Sequence, residues 1–506
     1  MKFRFFKSNK RVYLNKYFFI CLTVLLLFLV YAGNYTLNND TWFLINHGRY
    51  VFNHGIPKIE PFTLHNGFSF VMQQWLSALI FYLFYRFFGI KSLLLLCVLI
   101  NYVFFFIFYK VCMCLSNNNY KISFIVSIFV DFLLLSLNFM VLRPQIFTFC
   151  LVMLLIFCLE KYIRENNIKY LLLLPVISFL QINLHASMWW MLYVFMLPYL
   201  LDGFNFKKIK AEHYRKIPIV ITMIVMFLTA LINPYGIEAI KYFINSYGVK
   251  EINGLVLEMK PFSFKMMSGK FIFAFMMIIF ICYIFSNKDR LRVRYLLFLF
   301  GPLYLGFSSV KGLSYFFILS IFPLAFFYKD KFRIVKFKEV YSSKIKIIFS
   351  LVVVTFIILF SVLYKTNGLN YTNKMSKAVD FLLDNYDKNK MKLYVGYDQG
   401  GYFEYRGLKP YIDPRAEVFL KANNKKEDIF KEYYDLLFGL LLDKDDLDKF
   451  LEKYNFTHLV VVDSERLYNR INENGKYEVV FKGKTNEGMG YKIYVRKDLK
   501  KEDVNK

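Results

Sequence analysis

Apolar runs of membrane-spanning length recur along most of this chain, and they constrain its fold more than any other feature. About 20 apolar residues of helix cross a bilayer, and only helices or closed barrels satisfy backbone hydrogen bonds in lipid. Hydrophobic residues make up 57% of the 506 residues, and 60 residues are Phe, which is too apolar for a soluble chain. The pattern predicts an α-helical polytopic membrane protein.

The charges between these runs indicate their orientation. The apolar segments are 17–33, 91–111, 122–140, 146–160, 170–183, 188–203, 217–232, 270–286, 294–308, 313–328 and 346–364, with a shorter one near 74–88. Lys and Arg concentrate in cytoplasmic loops, and the basic connectors are KYIRENNIK, NFKKIKAEHYRK, SNKDRLRVR and YKDKFRIVKFKEVYSSKIK. All four would lie outside if 74–88 were a full span, and all four lie in the cytoplasm if 74–88 rests on the outer surface as an amphipathic helix. We therefore expect about 11 spans plus external juxtamembrane helices in the cell membrane.

The distribution of charge and cysteine excludes other classes of protein. The formal charge of +28 is spread over the connectors instead of forming one basic face, which argues against a nucleic acid partner. The basic N-terminus lacks a small-residue cleavage site after its apolar run, so we expect a retained first helix and a cytoplasmic N-terminus. All seven Cys lie in or beside apolar runs, which predicts buried thiols and no disulfide framework.

The chain changes character near residue 368. Residues 1–367 are expected to form the transmembrane domain, with a first external loop at 34–90, and residues 368–506 an external soluble domain of α/β or α+β type. The segments MKLYVGY and HLVVVD predict strands, and YEVVFKGKTNEGMGYKIYVRK predicts a hairpin. The segment from KEDIF to LEKY predicts helix.

Polar residues that hydropathy does not explain gather on the outer side in this arrangement. They occur in NNDTWFLINHGRY, LRPQ, INLHAS, INPYG, EINGLVLEMKPF, GYDQGGYFEYRG and YIDPRAEVF. Charged groups at helix ends near lipid are unfavourable unless they face a cavity. We therefore predict that the ends bearing Asp40, Arg143 and His185 converge on one pocket.

Each of these residues also has a purely structural interpretation. Asp40 is a candidate N-cap of the helix that follows, with Gly55 as its C-terminal stop. Asp40, His47 and His54 share a helix face, but intervals of about 10.5 Å are too long for ligands of one ion. An arginine such as Arg143 binds phosphate or extends to lipid head groups, and a histidine at a helix end is either structural or a general acid.

The loop DTWFLINHGRYVFNHGIPKIEPFTLHNGFSFVMQQWL resembles the first external loop of bacterial multi-spanning proteins related to the GT-C class of glycosyltransferases. The residues that match are Asp40, Trp42, His47, Gly48, Arg49, Gly55, Pro61, Phe62, Trp75 and Leu76. RPQ, NLHAS, NPYG, GGYF and YIDPRAEVF are similar to later landmarks of that group, in the same order. Glu60 and Gln74 depart from it, since Asp and Glu are usual there.

The resemblance implies a GT-C-like fold and transfer of a sugar from a polyprenyl-phosphate donor, with Asp40 as general base or as the residue that orients the acceptor and any divalent metal ion. The catalytic candidates are Asp40, His47 and His185, and the candidates for binding substrate or phosphate are Arg49, Arg143, Trp42, Trp75, Glu258, Asp413 and Arg415. The partners are the lipid-linked donor, membrane lipids and an external acceptor. A lipid-linked glycan flippase and a non-catalytic cell-envelope assembly protein are the alternatives.

Overall fold

The computed structural model describes residue 37 and the ranges 39–203, 212–286, 291–331, 373–439, 443–471, 474–485 and 488–499. The predicted spans 17–33 and 346–364 lie outside these residues, as do large parts of three basic connectors. The sidedness of the membrane and the positions of the termini therefore stay predictions from charge.

The part of the chain that the structure describes is mostly helical. Four of its helices are long and apolar enough to cross a membrane: Ser92–Leu115, Gln145–Glu165, Met267–Ile284 and Val310–Phe327. Shorter apolar helices are Trp75–Phe88, Ile168–Leu184, Ala186–Leu201, Ile217–Ala230 and Val293–Ser308. These helices support a helical membrane protein, and the total of about 11 spans stays a prediction.

The first part of the chain forms a bundle. Its helices are α1 (Asn39–His54), α2 (Trp75–Phe88), α3 (Ser92–Leu115), α4 (Tyr120–Ser136), α5 (Gln145–Glu165), α6 (Leu174–Leu184), α7 (Met191–Leu201), α8 (Ile217–Ala230), α9 (Glu238–Ser246), α10 (Lys250–Leu255), α11 (Met267–Ile284), α12 (Val293–Ser308), α13 (Val310–Ile321) and α14 (Leu324–Phe327). Short 3₁₀ helices occupy Ile168–Leu173, Ala186–Met188 and Leu257–Met259.

Helix α1 begins two residues earlier than the capping interpretation requires, at Asn39 instead of Thr41. Asn39 is already helical, so Asp40 lies inside the first turn and is not the N-cap. The predicted stop is confirmed, because Gly55 has a φ of 79° and its amide donates to Val51 O at 3.0 Å. Asp40 is therefore held by the first turn of a 16-residue helix.

Helices α1 and α2 approach each other at Gly48. A Cβ on this residue would lie 2.1 Å from the Ala78 carbonyl oxygen and 2.5 Å from the Tyr82 Cβ. Only a glycine allows this separation, since real Cβ contacts are not that short. The close packing fixes α1, and with it Asp40, against the helix that precedes the first described span.

A buried ionic cluster joins α5 and α12 near the other end of the bundle. Arg294 Nη1 lies 2.6 Å from Asp202 Oδ2, and its Nε lies 3.2 Å from Glu160 Oε1. Glu160 is 15 residues beyond Gln145 on α5, which corresponds to about 22 Å along the helix. This ionic cluster therefore lies at the end of the bundle away from Gln145.

The last part of the chain forms a small α/β unit. Its elements are α15 (Ser376–Asn385), β1 (Leu393–Val395), α16 (Tyr397–Tyr405), a 3₁₀ helix (Ala416–Phe419), α17 (Lys421–Asn424), α18 (Ile429–Phe438), α19 (Lys444–Tyr454), β2 (His458–Val462), α20 (Leu467–Arg470), β3 (Tyr477–Lys484) and β4 (Gly490–Arg496). The strand order is β1-β2-β4-β3, with β1 parallel to β2 and the other pairs antiparallel. The predicted strands, helices and β3–β4 hairpin are all confirmed.

This unit shares its core with the loop that follows α1. Phe62, Phe68 and Phe70 of the loop belong to one buried cluster with Tyr394 and Phe419. On its other side the sheet contributes residues to the core of the bundle itself, including Val460 and Ile493. The loop and the C-terminal unit therefore form one packed cap on the bundle.

Candidate functional site

A cavity of about 540 Å³ lies between one end of the bundle and the C-terminal unit. The bundle contributes Asp40, Arg143, His185, Glu258 and Lys311 to its lining, and the C-terminal unit contributes Tyr397, Asp398, Gln399, Arg415, Glu417 and Glu465. The convergence of Asp40, Arg143 and His185 that the sequence predicts is confirmed. The three come from segments that the charge pattern assigned to one side of the membrane.

Asp40 and Arg143 form the centre of the bundle wall of this cavity. Arg143 Nη2 lies 2.9 Å from Asp40 Oδ2, and Arg143 Nη1 contacts Glu258 Oε1. Arg143 precedes Pro144 and Gln145, where α5 begins, so its backbone is fixed at a helix start. One guanidinium thereby joins three segments that are distant in the sequence.

The pKa of Asp40 is raised above its usual range. Burial is the largest cause, since it disfavours the charged form, and Glu258 and Asp398 act in the same direction. Arg143 and Lys311 oppose the shift, because they favour the carboxylate. A carboxylate with a raised pKa accepts a proton more readily near neutral pH than an ordinary aspartate does.

His185 is oriented by a hydrogen-bond chain from α5 and α6. Gln181 Nε2 donates to Thr148 Oγ1 at 3.0 Å, and Thr148 Oγ1 lies 2.9 Å from His185 Nδ1. Among the described residues, His185 Nδ1 is the acceptor available to the Thr148 hydroxyl proton, which leaves the ring proton on Nε2. Burial lowers the pKa of His185 well below its usual value, so the ring is neutral.

Lys311 is a cation of the cavity that the sequence reasoning missed. It lies in the first turn of α13, where Ser309 Oγ accepts from the amide of Gly312 at 3.1 Å. Its positive charge opposes the rise in the pKa of Asp40 and of Glu417. It therefore acts on carboxyl groups of both the bundle and the C-terminal unit. The available signal was a lone Lys in the short connector SVKG between two apolar segments.

The C-terminal unit contributes three carboxyl groups to the cavity lining, those of Asp398, Glu417 and Glu465. Burial raises the pKa of Asp398 and of Glu417, while Lys311 and Arg415 oppose the shift at Glu417. Burial also raises the pKa of Glu465 to about 8, and the Tyr394 hydroxyl donates to Glu465 Oε2 at 3.1 Å. The sequence reasoning quoted the segments that hold Asp398 and Glu417 but did not single out these residues.

His47 and Arg415 belong to a buried cluster at the edge of the cavity. His47 stacks on Phe62 with ring centroids 4.3 Å apart, and its Nε2 lies 3.3 Å from Glu404 Oε1. Arg415 Nη2 lies 2.8 Å from Glu60 Oε1 and also pairs with Asp413. This cluster ties the loop after α1 to the C-terminal unit, which gives His47 and Arg415 a structural role.

Other residues selected from the sequence lie away from the main cavity. Trp42 packs against Tyr405 with ring centroids 4.9 Å apart, and Trp75 Nε1 donates to Asn183 Oδ1 at 3.0 Å. Asp413 is fully buried against Arg415. Arg49 lines a separate groove. The sequence motifs that contain these residues therefore supply packing as well as cavity lining.

A divalent metal ion does not fit the residues present. Among the described residues, no group of three or more His, Cys, Asp or Glu is arranged to hold a metal ion. The carboxylate of Asp40, the candidate ligand, is paired with the Arg143 guanidinium at 2.9 Å. No catalytic step is therefore assigned to a metal.

The chain was also compared with known proteins. It matches no family model and no curated protein.

Proposed function

We propose that the protein is a membrane glycosyltransferase of the GT-C type, which moves a sugar from a polyprenyl-phosphate donor to an acceptor on the outer side of the membrane. The observation that supports this proposal is the position of Asp40, a half-buried carboxyl paired with Arg143 in a cavity that Lys311 also lines, at one end of apolar helices. A base beside two cations suits a reaction in which a hydroxyl attacks and a phosphate leaves.

The proposed reaction assigns a separate task to each group. Asp40 accepts the proton of the acceptor hydroxyl as its oxygen forms a bond to the anomeric carbon. The bond from that carbon to the phosphate oxygen breaks, and its electron pair leaves with the lipid phosphate. Arg143 and Lys311 stabilise the growing negative charge, and His185 Nε2–H donates a hydrogen bond to it.

The carboxyl wall of the cavity suits a polyhydroxylated ligand. Carboxylates accept hydrogen bonds, and Asp398 and Glu417 of the C-terminal unit line the same cavity as the Asp40–Arg143 pair. The volume of about 540 Å³ falls in the usual range of ligand sites, about 300–1,000 Å³. We therefore assign phosphate recognition to the bundle wall and hydroxyl recognition to the C-terminal wall.

Substitution of Asp40 by Asn tests the proposal. Asn keeps the shape of the side chain but cannot accept the proton, so transfer should fall by about 100-fold or more. Membranes containing the protein are given radiolabelled polyprenyl-phosphate hexoses, and label leaving the lipid fraction is measured. Thermal stability in detergent should change little, because Arg143 keeps its contact with Glu258.

Glu238→Gln is the matched control, since Glu238 is an exposed carboxylate of α9 that pairs only with Lys241 among described acidic and basic partners. It should transfer sugar at the wild-type rate. An Asp40→Asn protein that is stable and equally active would contradict the proposed base. Wild-type membranes that release no label from any donor in the panel would contradict the enzyme class.

A further inference from the structure

A second groove of about 520 Å³ lies on the surface of the bundle beside α2. Its lining residues are Arg49, Tyr82, Tyr85, Arg86, Gly89 and Ile90. None of these residues lines the main cavity, and none is acidic. The groove is thus a separate, positively charged site.

The position of the groove along the chain gives its depth in the membrane. Helix α2 ends at Phe88, and α3, which is long and apolar enough to cross a membrane, begins at Ser92. Three residues span at most about 10 Å, so the end of α2 lies where α3 enters the bilayer. Phe87 and Phe88 are 65% and 72% exposed there, and large exposed apolar side chains of this kind suit contact with lipid.

Aromatic rings accompany both guanidinium groups in the groove. The Arg86 guanidinium carbon lies 4.4 Å from the centroid of the Phe52 ring, and that of Arg49 lies 5.1 Å from the Tyr405 ring. Arg49 Nη1 also donates to Tyr405 O at 3.2 Å. These contacts restrict the two side chains, while a planar guanidinium has donors to spare for a phosphate.

Tyr82 supplies a hydroxyl donor to the groove. Its side chain is 8% exposed and lines the groove, and its hydroxyl has no hydrogen-bond partner among the described residues. The hydroxyl is therefore available to a ligand that enters the groove. By contrast, the Tyr85 hydroxyl is satisfied by Tyr405 Oη at 2.7 Å. A ligand oxygen in the groove would satisfy Tyr82.

We propose that this groove binds the phosphate of an anionic phospholipid from the surrounding bilayer. Arg49 and Arg86 pair with the phosphate oxygens, Tyr82 donates to one of them, and the acyl chains run along the exposed Phe87 and Phe88. This site is independent of the proposed sugar transfer. Its occupant would also hold α2 at the membrane interface, and Gly48 of α1 packs against α2.

Lipid binding by the purified full-length protein tests the proposal. The probes are phosphatidylglycerol and phosphatidylcholine with identical acyl chains, added to protein in detergent and counted by native mass spectrometry. We expect wild-type protein to retain phosphatidylglycerol preferentially. Arg86→Gln should weaken that retention about fivefold, and adding Arg49→Gln should weaken it further by a similar factor. Tyr82→Phe should weaken it without changing the charge.

The control is Arg470→Gln, which removes an exposed arginine of α20 in the C-terminal unit and should leave retention unchanged. Equal retention of both lipids by the wild type would overturn the proposal, as would a double arginine variant that retains phosphatidylglycerol normally. Displacement of the lipid by equimolar inorganic phosphate would overturn it as well. Preference for a polyprenyl phosphate over phosphatidylglycerol would assign the groove to the carrier lipid instead.

Discussion

Arg143 Nη2 lies 2.9 Å from Asp40 Oδ2, and the other terminal nitrogen of the same guanidinium contacts Glu258. A single cation therefore bridges the first turn of α1, the start of α5 and the segment before α11. The arrangement keeps Asp40 beside a positive charge although burial raises its pKa. It explains how a carboxyl group at the end of an apolar bundle can be charged when a substrate arrives.

Arg143→Lys separates charge from geometry at this position. Lys keeps the positive charge but loses the planar fork that contacts Asp40 and Glu258 together. We expect the KM for a polyprenyl-phosphate hexose to rise about 10-fold, with a smaller change in thermal stability, because Lys keeps a positive charge beside Asp40 and Glu258. Arg143→Gln, which also removes the charge, should raise the KM for the donor more than Arg143→Lys does. Equal KM values for wild type, Lys and Gln variants would show that Arg143 does not contact the donor.

Thr148→Val tests the proposed tautomer of His185. Without the hydroxyl, His185 Nδ1 loses its donor, so the ring proton is free to move from Nε2 and the cavity loses a hydrogen-bond donor. We expect kcat to fall by about 100-fold if the donor stabilises the leaving phosphate. Thr148→Ser should restore most of the rate. Thr222→Val, which removes a hydroxyl bonded to Pro218 O in α8, is the control and should leave kcat unchanged.

Glu465 predicts a pH dependence of stability. Its pKa is raised by burial from 4.5 to about 8 in the folded protein, so folding favours the protonated form. The stability that this group contributes is fully present below about pH 4.5 and is lost as the pH rises towards 8, by about 5 kcal/mol at most. The thermal unfolding midpoint of Glu465→Gln should therefore change less between pH 6 and pH 8 than that of the wild type.

The pH dependence attributed to Glu465 is measured by thermal unfolding in detergent at several pH values. Glu478→Gln on β3 removes an exposed carboxylate and serves as the control, with a pH profile like that of the wild type. A Glu465→Gln protein whose midpoint still falls as steeply as that of the wild type between pH 6 and pH 8 would assign the dependence to another group.

Gly48→Ala tests the packing of α1 against α2. The added methyl group would meet the Ala78 carbonyl at 2.1 Å, so the helices must separate. We expect a loss of about 1–3 kcal/mol in the free energy of unfolding. Gly301→Ala in α12 is the control and should raise the free energy of unfolding slightly. Nothing lies within 4 Å of its added Cβ, and Ala is the better helix former. A Gly48→Ala protein with the same thermal unfolding midpoint as the wild type would contradict the close approach of α1 and α2.

The sequence predicted the parts of this structure that local physics determines. Short runs of apolar and β-branched residues identified β1, β2 and the β3–β4 hairpin, and the unfavourable energy of charges near lipid predicted that Asp40, Arg143 and His185 meet. Lys311 was missed because one Lys at a helix start is ordinary. Helix α1 starts one residue before Asp40, an offset within the usual uncertainty of a helix end.

The pairing of distant segments was beyond the reach of periodicity. Phe62 and Phe68 look like ordinary apolar residues of a loop, and nothing in their spacing names Tyr394 or Phe419 as their partners. The same holds for His47, whose contact with Glu404 depends on how α16 packs against α1. Apolar character predicts burial, but it does not predict which surface provides it.

The shared core also has a consequence for how the protein folds during its synthesis. Phe62, Phe68 and Phe70 leave the ribosome roughly 320 residues before the partners that bury them, which at about 5–20 residues per second is an interval of roughly 15–65 s. Through that time the loop lacks the part of its core that the C-terminal unit supplies. The cap on the bundle is therefore completed last, and a nascent chain that is truncated before β1 exposes a strip of phenylalanine rings to chaperones and proteases.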